Sequence, residues 1–257
     1  MTTSTNKNFL EVRNLDVRFR SNKSDVHALK SISFSVEKGE ILGIVGESGS
    51  GKSTIAKSIV GIINPTKGTI NYTNKNKVTE VLTGEPRKDI QLVFQDPYSS
   101  LNPSMSIGKG LYELLRYHRI VPKSEIKTRI TTLLEQVGLS NSFYDRLPRE
   151  LSGGQRQRVC IARALSLEPN VLICDECVSA LDVTVQAQVL GLLLKLRRDI
   201  GLSILFISHD LAVINEVCDR VLVMDRGRIV ESGAPFEIIN TPKNPYTQRL
   251  ISSIPGQ

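Results

Sequence analysis

Residues 46–53 constrain this chain more than any other part of its sequence. They read Gly-Glu-Ser-Gly-Ser-Gly-Lys-Ser and fit the pattern G-x-x-x-x-G-K-[ST]. The apolar run Ile41–Val45 precedes them and predicts a strand buried on both faces, and a helical pattern follows over residues 52–63. A glycine- and serine-rich turn before a helix is the alternative, but it matches this pattern by chance in roughly one per cent of chains this long. The sequence therefore predicts a phosphate-binding loop.

Each residue type in this loop has a chemical reason. Glycines let backbone N–H groups turn toward phosphate oxygens, and the N-terminus of the following helix adds partial positive charge. The Lys52 ammonium supplies a full charge to the β- and γ-phosphates, and the Ser53 hydroxyl is a ligand for Mg²⁺. The candidate phosphate-binding residues are Gly46, Ser48, Gly49, Ser50, Gly51, Lys52, Ser53 and Thr54.

A second chemical element lies at residues 171–176. The apolar run 171–174 predicts a strand, and two carboxylates, Asp175 and Glu176, follow it directly. Groups at the carboxyl end of such a strand face the ligand crevice of an α/β sheet, so Asp175 is placed to reach Mg²⁺ and Glu176 to polarise an attacking water. By itself this run is equally typical of a strand that ends at a solvated turn. Its pairing with the phosphate-binding loop favours phosphoryl transfer to water.

The remaining patterns predict a mixed α/β organisation. Residues 10–19 and 29–36 alternate apolar and polar side chains, which indicates half-buried, antiparallel strands. Apolar runs at 90–94, 171–174 and 203–208 predict further strands, and a helical pattern follows over Val183–Ile200. Strands that alternate with helices imply a parallel sheet covered on both faces. Residues 97–158 have the character of a helical insertion, and residues 235–257 of a short helical tail.

Composition narrows the class of protein. The 257 residues carry 33 basic and 26 acidic side chains, a formal net charge of +7, which permits an anionic partner without demanding one. Tryptophan is absent and aromatic residues make up 5% of the chain, so we expect no stacking platform for single-stranded nucleic acid. Apolar runs are far shorter than the roughly 18 residues that span a bilayer, and residues 1–8 contain no secretory signal. We expect a cytosolic chain that only another chain holds at a membrane.

Residues 151–155 read Leu-Ser-Gly-Gly-Gln and predict a glycine-rich turn that opens a helix, hence a second anion site. An ordinary helix N-cap by Ser152 is the alternative interpretation. With this run the chain resembles the ATP-binding cassette (ABC) ATPases, whose signature is LSGGQ. Further matches are Gln95 to the Q-loop glutamine, Asp182 to the D-loop, His209 to the switch histidine and Phe19 to the aromatic residue that stacks on adenine. Phe19 also alternates with Val17, as a strand-core residue would.

The resemblance covers residues 9–257 and implies a P-loop NTPase (RecA-like) fold. Its parts are an ATP-binding core (9–96 and 159–234) with a mainly parallel sheet and an N-terminal antiparallel β subdomain, an inserted helical signature subdomain (97–158) and a C-terminal tail (235–257). It implies ATP and Mg²⁺ as cofactors, with Ser53, Gln95 and Asp175 at the metal and Glu176, His209, Lys52 and Gln95 in catalysis. It also implies that two such domains pair head to tail, so that the nucleotide of one domain is covered by the signature turn of the other. The nucleotide-binding residues that it implies outside the loop include Ser152, Gly153, Gly154, Gln155 and Asp182.

A narrower resemblance is to the ATPases of oligopeptide, dipeptide and nickel importers. Residues 95–103 look like the Q-loop of that subfamily, and residues 244–247, Asn-Pro-Tyr-Thr, are similar to its C-terminal His-Pro-Tyr-Thr element with Asn244 in place of His. The resemblance implies a second ATPase chain in a heterodimer, two permeases, an extracytoplasmic binding protein and a place on the cytoplasmic face of the cell membrane. Peptides are the favoured cargo, and nickel or a metal chelate is the second candidate. No nucleic acid is expected as a partner.

Two other functions stay open at this point. A soluble ABC ATPase that acts on ribosomes or nucleic acid is compatible with the positive charge, although such proteins usually carry two cassettes or long arms. The ATPase of an exporter is the third possible function, although exporter cassettes are often fused to their membrane domain.

One departure from the family is that Cys177 and Val178 replace the usual Pro-Thr after Asp175 and Glu176. Because both carboxylates are retained, we expect hydrolysis to survive.

Overall fold

The computed structural model describes residues 8–21, 24–74, 77–80 and 88–252. The chain divides into two units, the first of residues 1–87 and 201–257 and the second of residues 88–200. The strands of the described residues are β1 (Asn8–Ser21), β2 (Ser24–Glu37), β3 (Ile41–Val45), β4 (Lys67–Asn74), β5 (Lys77–Glu80), β6 (Ile90–Val93), β7 (Val171–Asp175), β8 (Ser203–Ile207), β9 (Arg220–Asp225) and β10 (Arg228–Gly233). Their α-helices are α1 (Lys52–Ile59), α2 (Ile107–His118), α3 (Ile126–Gln136), α4 (Gly153–Leu165), α5 (Val183–Ile200), α6 (Leu211–Val217), α7 (Pro235–Asn240) and α8 (Pro245–Ser252).

The first unit begins with an antiparallel sheet. Its strands lie in the order β2, β1, β4 and β5. Leu10, Val12 and Val17 of β1 are buried, and Val12 pairs with the buried Phe34 of β2. Leu10 and Val12 are two residues apart and so lie on one face of the sheet, and register shifts between Val12 and Val17 account for the odd spacing that follows. The alternating pattern near the N-terminus is thus confirmed as half-buried antiparallel strands.

Parallel strands form the second part of the first unit. β3 lies between β9 and β8 and runs parallel to both, and β10 pairs with β9 antiparallel. Every residue of β3 and β8 is buried, as expected of strands covered on both faces. The chain leaves β3 at Val45, turns through the glycine-rich loop and enters α1. That helix ends at Ile59, earlier than the predicted residue 63, because Gly61 adopts a φ of 79° and reverses the backbone.

The second unit combines a parallel strand pair with helices. β6 and β7 run parallel, and Val93 pairs with Cys174 near the carboxyl ends of both strands. The helices α2, α3 and α4 follow β6 in sequence before the chain returns as β7. Ile126, Ile130 and Leu133 of α3 are buried, which is the spacing of one helix face.

The two units together give the α/β fold class that the sequence predicts. N-terminal strands form the antiparallel sheet, parallel strands alternate with helices, and helices are inserted between β6 and β7. Within the described ranges, no helix combines the length and the apolar character that crossing a bilayer requires.

Candidate functional site

The phosphate-binding loop has a backbone that only glycine permits at two places. Gly46 has a φ of 151°, and a Cβ atom there would lie 2.2 Å from the carbonyl oxygen of Met224. Gly51 has a φ of 107°, and a Cβ atom would lie 2.8 Å from the carbonyl oxygen of Ala28. A side chain at either position would be strained in its backbone and would collide with fixed main-chain atoms. Both glycines therefore set the curvature of the loop.

Lys52 is held inside this curved loop. Its side chain is 4% exposed, and Nζ donates hydrogen bonds to the carbonyl oxygens of Gly46 at 2.7 Å and Glu47 at 2.9 Å. The hydroxyl of Ser50 is also buried and has no hydrogen-bond partner among the residues that the structure describes. A buried ammonium and a buried hydroxyl at a helix N-terminus are suitable hydrogen-bond donors for a phosphate group.

The other predicted loop residues lie around this pair. Ser53 and Thr54 are half-buried in the first turn of α1, and Ser48 and Gly49 are exposed at the tip of the loop. The loop is braced from the turn between β9 and β10, where Gly227 donates its N–H to the carbonyl oxygen of Ser50 at 2.9 Å. The predicted loop residues therefore do form one continuous cradle in the first unit.

Two more predicted residues belong to the first unit. His209 lies two residues beyond the end of β8 and is exposed, and the N–H of the preceding Ser208 donates to the carbonyl oxygen of Ile44 in β3 at 3.1 Å. His209 therefore leaves the sheet at the same edge as the chain that enters the loop. Phe19 lies on β1 and is 44% exposed, so its ring is not a strand-core residue.

In the second unit, Gln95 and Glu176 are brought into direct contact. Nε2 of Gln95 donates to Oε2 of Glu176 at 3.1 Å, and Ser179 Oγ donates to the Glu176 carbonyl oxygen at 2.9 Å. The parallel pairing of β6 and β7 explains the contact, because Gln95 and Glu176 follow the carboxyl ends of neighbouring strands. Asp175, the last residue of β7, is buried. Ser179 was not predicted from the sequence as a residue of the site.

The signature turn is a capped helix start. Ser152 Oγ accepts the N–H of Gln155 at 3.3 Å, and Gln155 Oε1 accepts the N–H of Ser152 at 3.0 Å. This reciprocal pair is a capping box, so Ser152 does act as the N-cap of α4, which leaves the separate prediction of an anion site in this turn open. A Cβ atom on Gly154 would lie 2.1 Å from Cγ1 of Val185, so α4 and α5 require glycine there. Gly153 is half-buried beside it.

Three residues near the acidic pair also have structural roles. Asp182 Oδ1 accepts the N–H of Val185 at 2.9 Å and so caps the start of α5. Cys177 and Val178, the departures from the family pattern, are each 2% exposed and pack as apolar residues.

Comparison with known proteins assigns this arrangement to a family. A family model described as ABC transporter matches residues 29–179. The oligopeptide transport ATP-binding protein OppF of Haemophilus influenzae is 46% identical over 268 residues, an alignment that covers 99% of this chain and 81% of that protein. The chain belongs to the ABC transporter family. The predicted family and the predicted ATPase activity of this cassette are thereby confirmed.

Other relatives agree with this assignment. The glutathione import ATP-binding protein GsiA of Shigella flexneri is 44% identical, over 96% of this cassette but only 41% of its own length. The solved dimeric structure of a post-hydrolysis state of the ATP-binding cassette MJ0796, bound to ADP and Pi, has a TM-score of 0.76 and 28% identity, and covers 88% of this cassette and 98% of that chain. The P-loop NTPase fold is therefore confirmed for this cassette.

Proposed function

We propose that this cassette is the ATP-binding and ATP-hydrolysing subunit of an importer that moves peptides across the cytoplasmic membrane through partner permeases. The observation that carries the proposal is the 46% identity with an oligopeptide transport ATP-binding protein over 99% of the chain. Nickel or a metal chelate is the second cargo class, because the Q-loop resemblance extends to nickel importers. The chain itself takes its place on the cytoplasmic face through its partners.

ATP binding is assigned to the glycine-rich loop. Backbone N–H groups of Gly49, Gly51 and Lys52 and the buried Lys52 ammonium are the donors that meet phosphate oxygens. Phe19, exposed on β1, offers a ring to the adenine base. Ser53, Gln95 and Asp175 are the oxygen donors assigned to Mg²⁺, which prefers hydroxyl and carboxylate oxygens and neutralises phosphate charge when bound.

Hydrolysis is assigned to Glu176. Its carboxylate is the group that orients and polarises the attacking water, and the amide of Gln95, 3.1 Å away, holds that carboxylate in place. Glu176 has a φ of 51°, an uncommon backbone conformation for glutamate. His209 is assigned to the γ-phosphate as a hydrogen-bond partner that distinguishes ATP from ADP.

The signature turn is assigned to the nucleotide of a second cassette. We assign the backbone N–H groups of Gly153 and Gly154 as donors to that nucleotide, and the capping box of Ser152 and Gln155 orders the turn that carries them. Head-to-tail pairing of two cassettes places such a turn over each ATP, so the nucleotide stabilises the closed pair and hydrolysis releases it. Subfamily resemblance favours a heterodimer.

The surface of residues 94–98 is assigned to a permease. Phe94 and Tyr98 are large apolar side chains that are 39% and 53% exposed there. Exposed apolar residues near the Q-loop offer a contact for a helix of a membrane partner. Two permeases and an extracytoplasmic binding protein complete the proposed importer, and the binding protein selects the cargo.

The nucleotide site is tested with Lys52→Ala. We expect ATP binding to weaken by at least about tenfold, because the phosphates lose a charged hydrogen-bond donor. Lys57→Ala is the matched control, since Lys57 lies in the last turn of the same helix and outside the loop. Equilibrium binding of a fluorescent ATP analogue with Mg²⁺ measures both. Unchanged affinity in Lys52→Ala would refute the assignment of the loop.

The importer assignment is tested by tagging the chain in its native cell and identifying what co-purifies from gently solubilised membranes. We expect two multispanning permeases and a second cassette. The associated binding protein is then tested for peptide and for nickel, which decides between the two cargo classes. Recovery from the soluble fraction alone, with ribosomes or DNA-repair proteins, would overturn the transport proposal while leaving the ATP site intact.

A further inference from the structure

The C-terminal element at residues 244–247 is anchored on the parallel strands of the first unit. Asn244 Oδ1 accepts the N–H of Tyr246 at 2.8 Å, and Asn244 Nδ2 donates to the carbonyl oxygen of Val230 at 3.3 Å. The carboxylate of Glu231 on β10 accepts the backbone N–H groups of Lys243 at 2.8 Å and Asn244 at 3.1 Å. These bonds fix the start of α8 against β10, and the proposed function gives them no task.

Tyr246 projects from this anchored element to the phosphate-binding loop. Its side chain is buried, at 7% exposure, and its hydroxyl oxygen accepts the backbone N–H of Glu47 at 3.0 Å. Glu47 is the residue that follows Gly46 in the loop. Burial raises the pKa of Tyr246 above its ordinary value, so the phenol stays neutral at physiological pH and remains an uncharged acceptor.

The N–H that Tyr246 accepts and the carbonyl that Lys52 contacts belong to one peptide group. The Gly46 carbonyl and the Glu47 N–H are the two ends of the same planar amide. Lys52 Nζ donates to that carbonyl oxygen at 2.7 Å while Tyr246 holds the N–H. A bond accepted at the N–H end fixes the orientation of the plane, and it polarises the carbonyl so that its own hydrogen bond strengthens. The Tyr246 hydroxyl therefore influences the position of the Lys52 ammonium.

We propose that Tyr246 is a positioning residue for nucleotide binding, which fixes the peptide group between Gly46 and Glu47 and, through it, the ammonium of Lys52. The inference rests on the proposed function, because it takes Lys52 as a ligand of the ATP phosphates. It also gives the C-terminal Pro-Tyr-Thr element a role in this chain. The tail braces the ATP site from a point distant in sequence.

Tyr246→Phe removes the hydroxyl and keeps the packing of the ring. We expect the full chain carrying it to bind Mg²⁺ and trinitrophenyl-ATP about three- to tenfold more weakly, the loss that follows from one hydrogen bond. Tyr72→Phe is the matched control, because Tyr72 is a buried tyrosine of the same unit in β4. We expect it to change the affinity by less than about twofold. Thermal unfolding of each variant verifies that it is folded at the assay temperature.

A double-mutant cycle separates positioning from a general structural effect. If Tyr246 acts through the lysine, the hydroxyl has nothing left to position in Lys52→Ala, and adding Tyr246→Phe to that variant produces no further loss of affinity. A buried hydroxyl that merely stabilises the fold would lower affinity equally in both backgrounds.

The outcomes are distinct. Wild-type affinity in Tyr246→Phe, or a full loss that persists on the Lys52→Ala background, would overturn the inference. Wild-type affinity in Lys52→Ala alone would instead overturn the proposed nucleotide site. The expected pattern is a loss in Tyr246→Phe that disappears when Lys52 is absent.

Discussion

Glu176 holds a backbone conformation that few side chains adopt, and the residues around it keep it there. Its φ of 51° is left-handed, and such conformations cost free energy unless neighbouring contacts impose them. Ser179 Oγ bonds to the Glu176 carbonyl, and Gln95 bonds to its carboxylate. At the scale of the residue, the site thus consists of one carboxylate whose main chain and side chain are both restrained.

Glu176→Gln is the variant that follows from this geometry. The carboxamide fills the same space but does not accept a proton from water, so we expect the rate of phosphate release to fall by about 10²- to 10⁴-fold with ATP binding retained. An ATP-bound pair with the partner cassette should accumulate when the two co-expressed chains are analysed by gel filtration. Glu168→Gln is the control, because Glu168 is an exposed acid of the same unit that pairs with Arg129 at 3.0 Å. Wild-type turnover in Glu176→Gln would remove Glu176 from catalysis.

At the scale of the element, short helices in this cassette depend on side chains outside them. The helix α8 has eight residues, too few to be stable alone in water. Its start is held by the Glu231 carboxylate of β10. Burial alone would raise the pKa of Glu231, but the hydrogen bonds that the carboxylate accepts and the nearby Lys243 ammonium outweigh it, so the pKa lies below its ordinary value.

The direction of this pKa shift predicts how the variant Glu231→Gln depends on pH. A carboxyl whose pKa is lower in the folded state stabilises the fold above its unfolded pKa, near 4.3, and loses that contribution as the pH falls through the folded value. We expect Glu231→Gln to reduce the free energy of unfolding by about 1 kcal/mol at pH 7. The difference from the wild type should shrink steadily below about pH 4. Urea unfolding over this range measures it, with the exposed Glu216→Gln of α6 as the control. A difference independent of pH would contradict the role of the charge.

At the scale of the whole molecule, the signature turn matters because we propose that it contacts the nucleotide bound to a second cassette. Its sequence keeps α4 well capped and requires glycine where α4 meets Val185. An ordinary helix start needs only the cap. The backbone N–H groups of this turn are the donors that we propose for the nucleotide of a partner cassette.

Ser152→Arg tests this pairing by placing a long charged side chain at the proposed seam. We expect ATP-driven pairing with the partner cassette to be lost while ATP binding to the single chain remains, as measured by gel filtration of the co-expressed chains in the slow-turnover Glu176→Gln background. Ser106→Arg removes the N-cap of α2 in the same unit and so matches the loss of about 1 kcal/mol of helix capping. Dimers should persist in that control. Persistence in Ser152→Arg as well would mean that the seam lies elsewhere.

The sequence by itself predicted the strand, the glycine-rich loop and the start of the helix that together carry the residues we propose as phosphate ligands. Residues 46–53 are local in the chain, and their glycines, lysine and serine carry their chemistry in the pattern itself. The same holds for the α/β fold class, because hydrophobic periodicity reports which faces of strands and helices are buried. The end of α1 and the exposure of Phe19 were harder to predict from the sequence, because both depend on contacts beyond the local pattern.

Only the tertiary structure decided which distant groups touch. Gln95 and Glu176 are 81 residues apart and meet because β6 and β7 pair in one particular register. Glu47 and Tyr246 are 199 residues apart and meet because Glu231 and Asn244 anchor α8 on β10. Periodicity records that a side chain is buried but not against what, because the partner is set by strand register and by hydrogen bonds that form only when the chain has packed. The loop was therefore predictable, whereas the tyrosine that braces it was not.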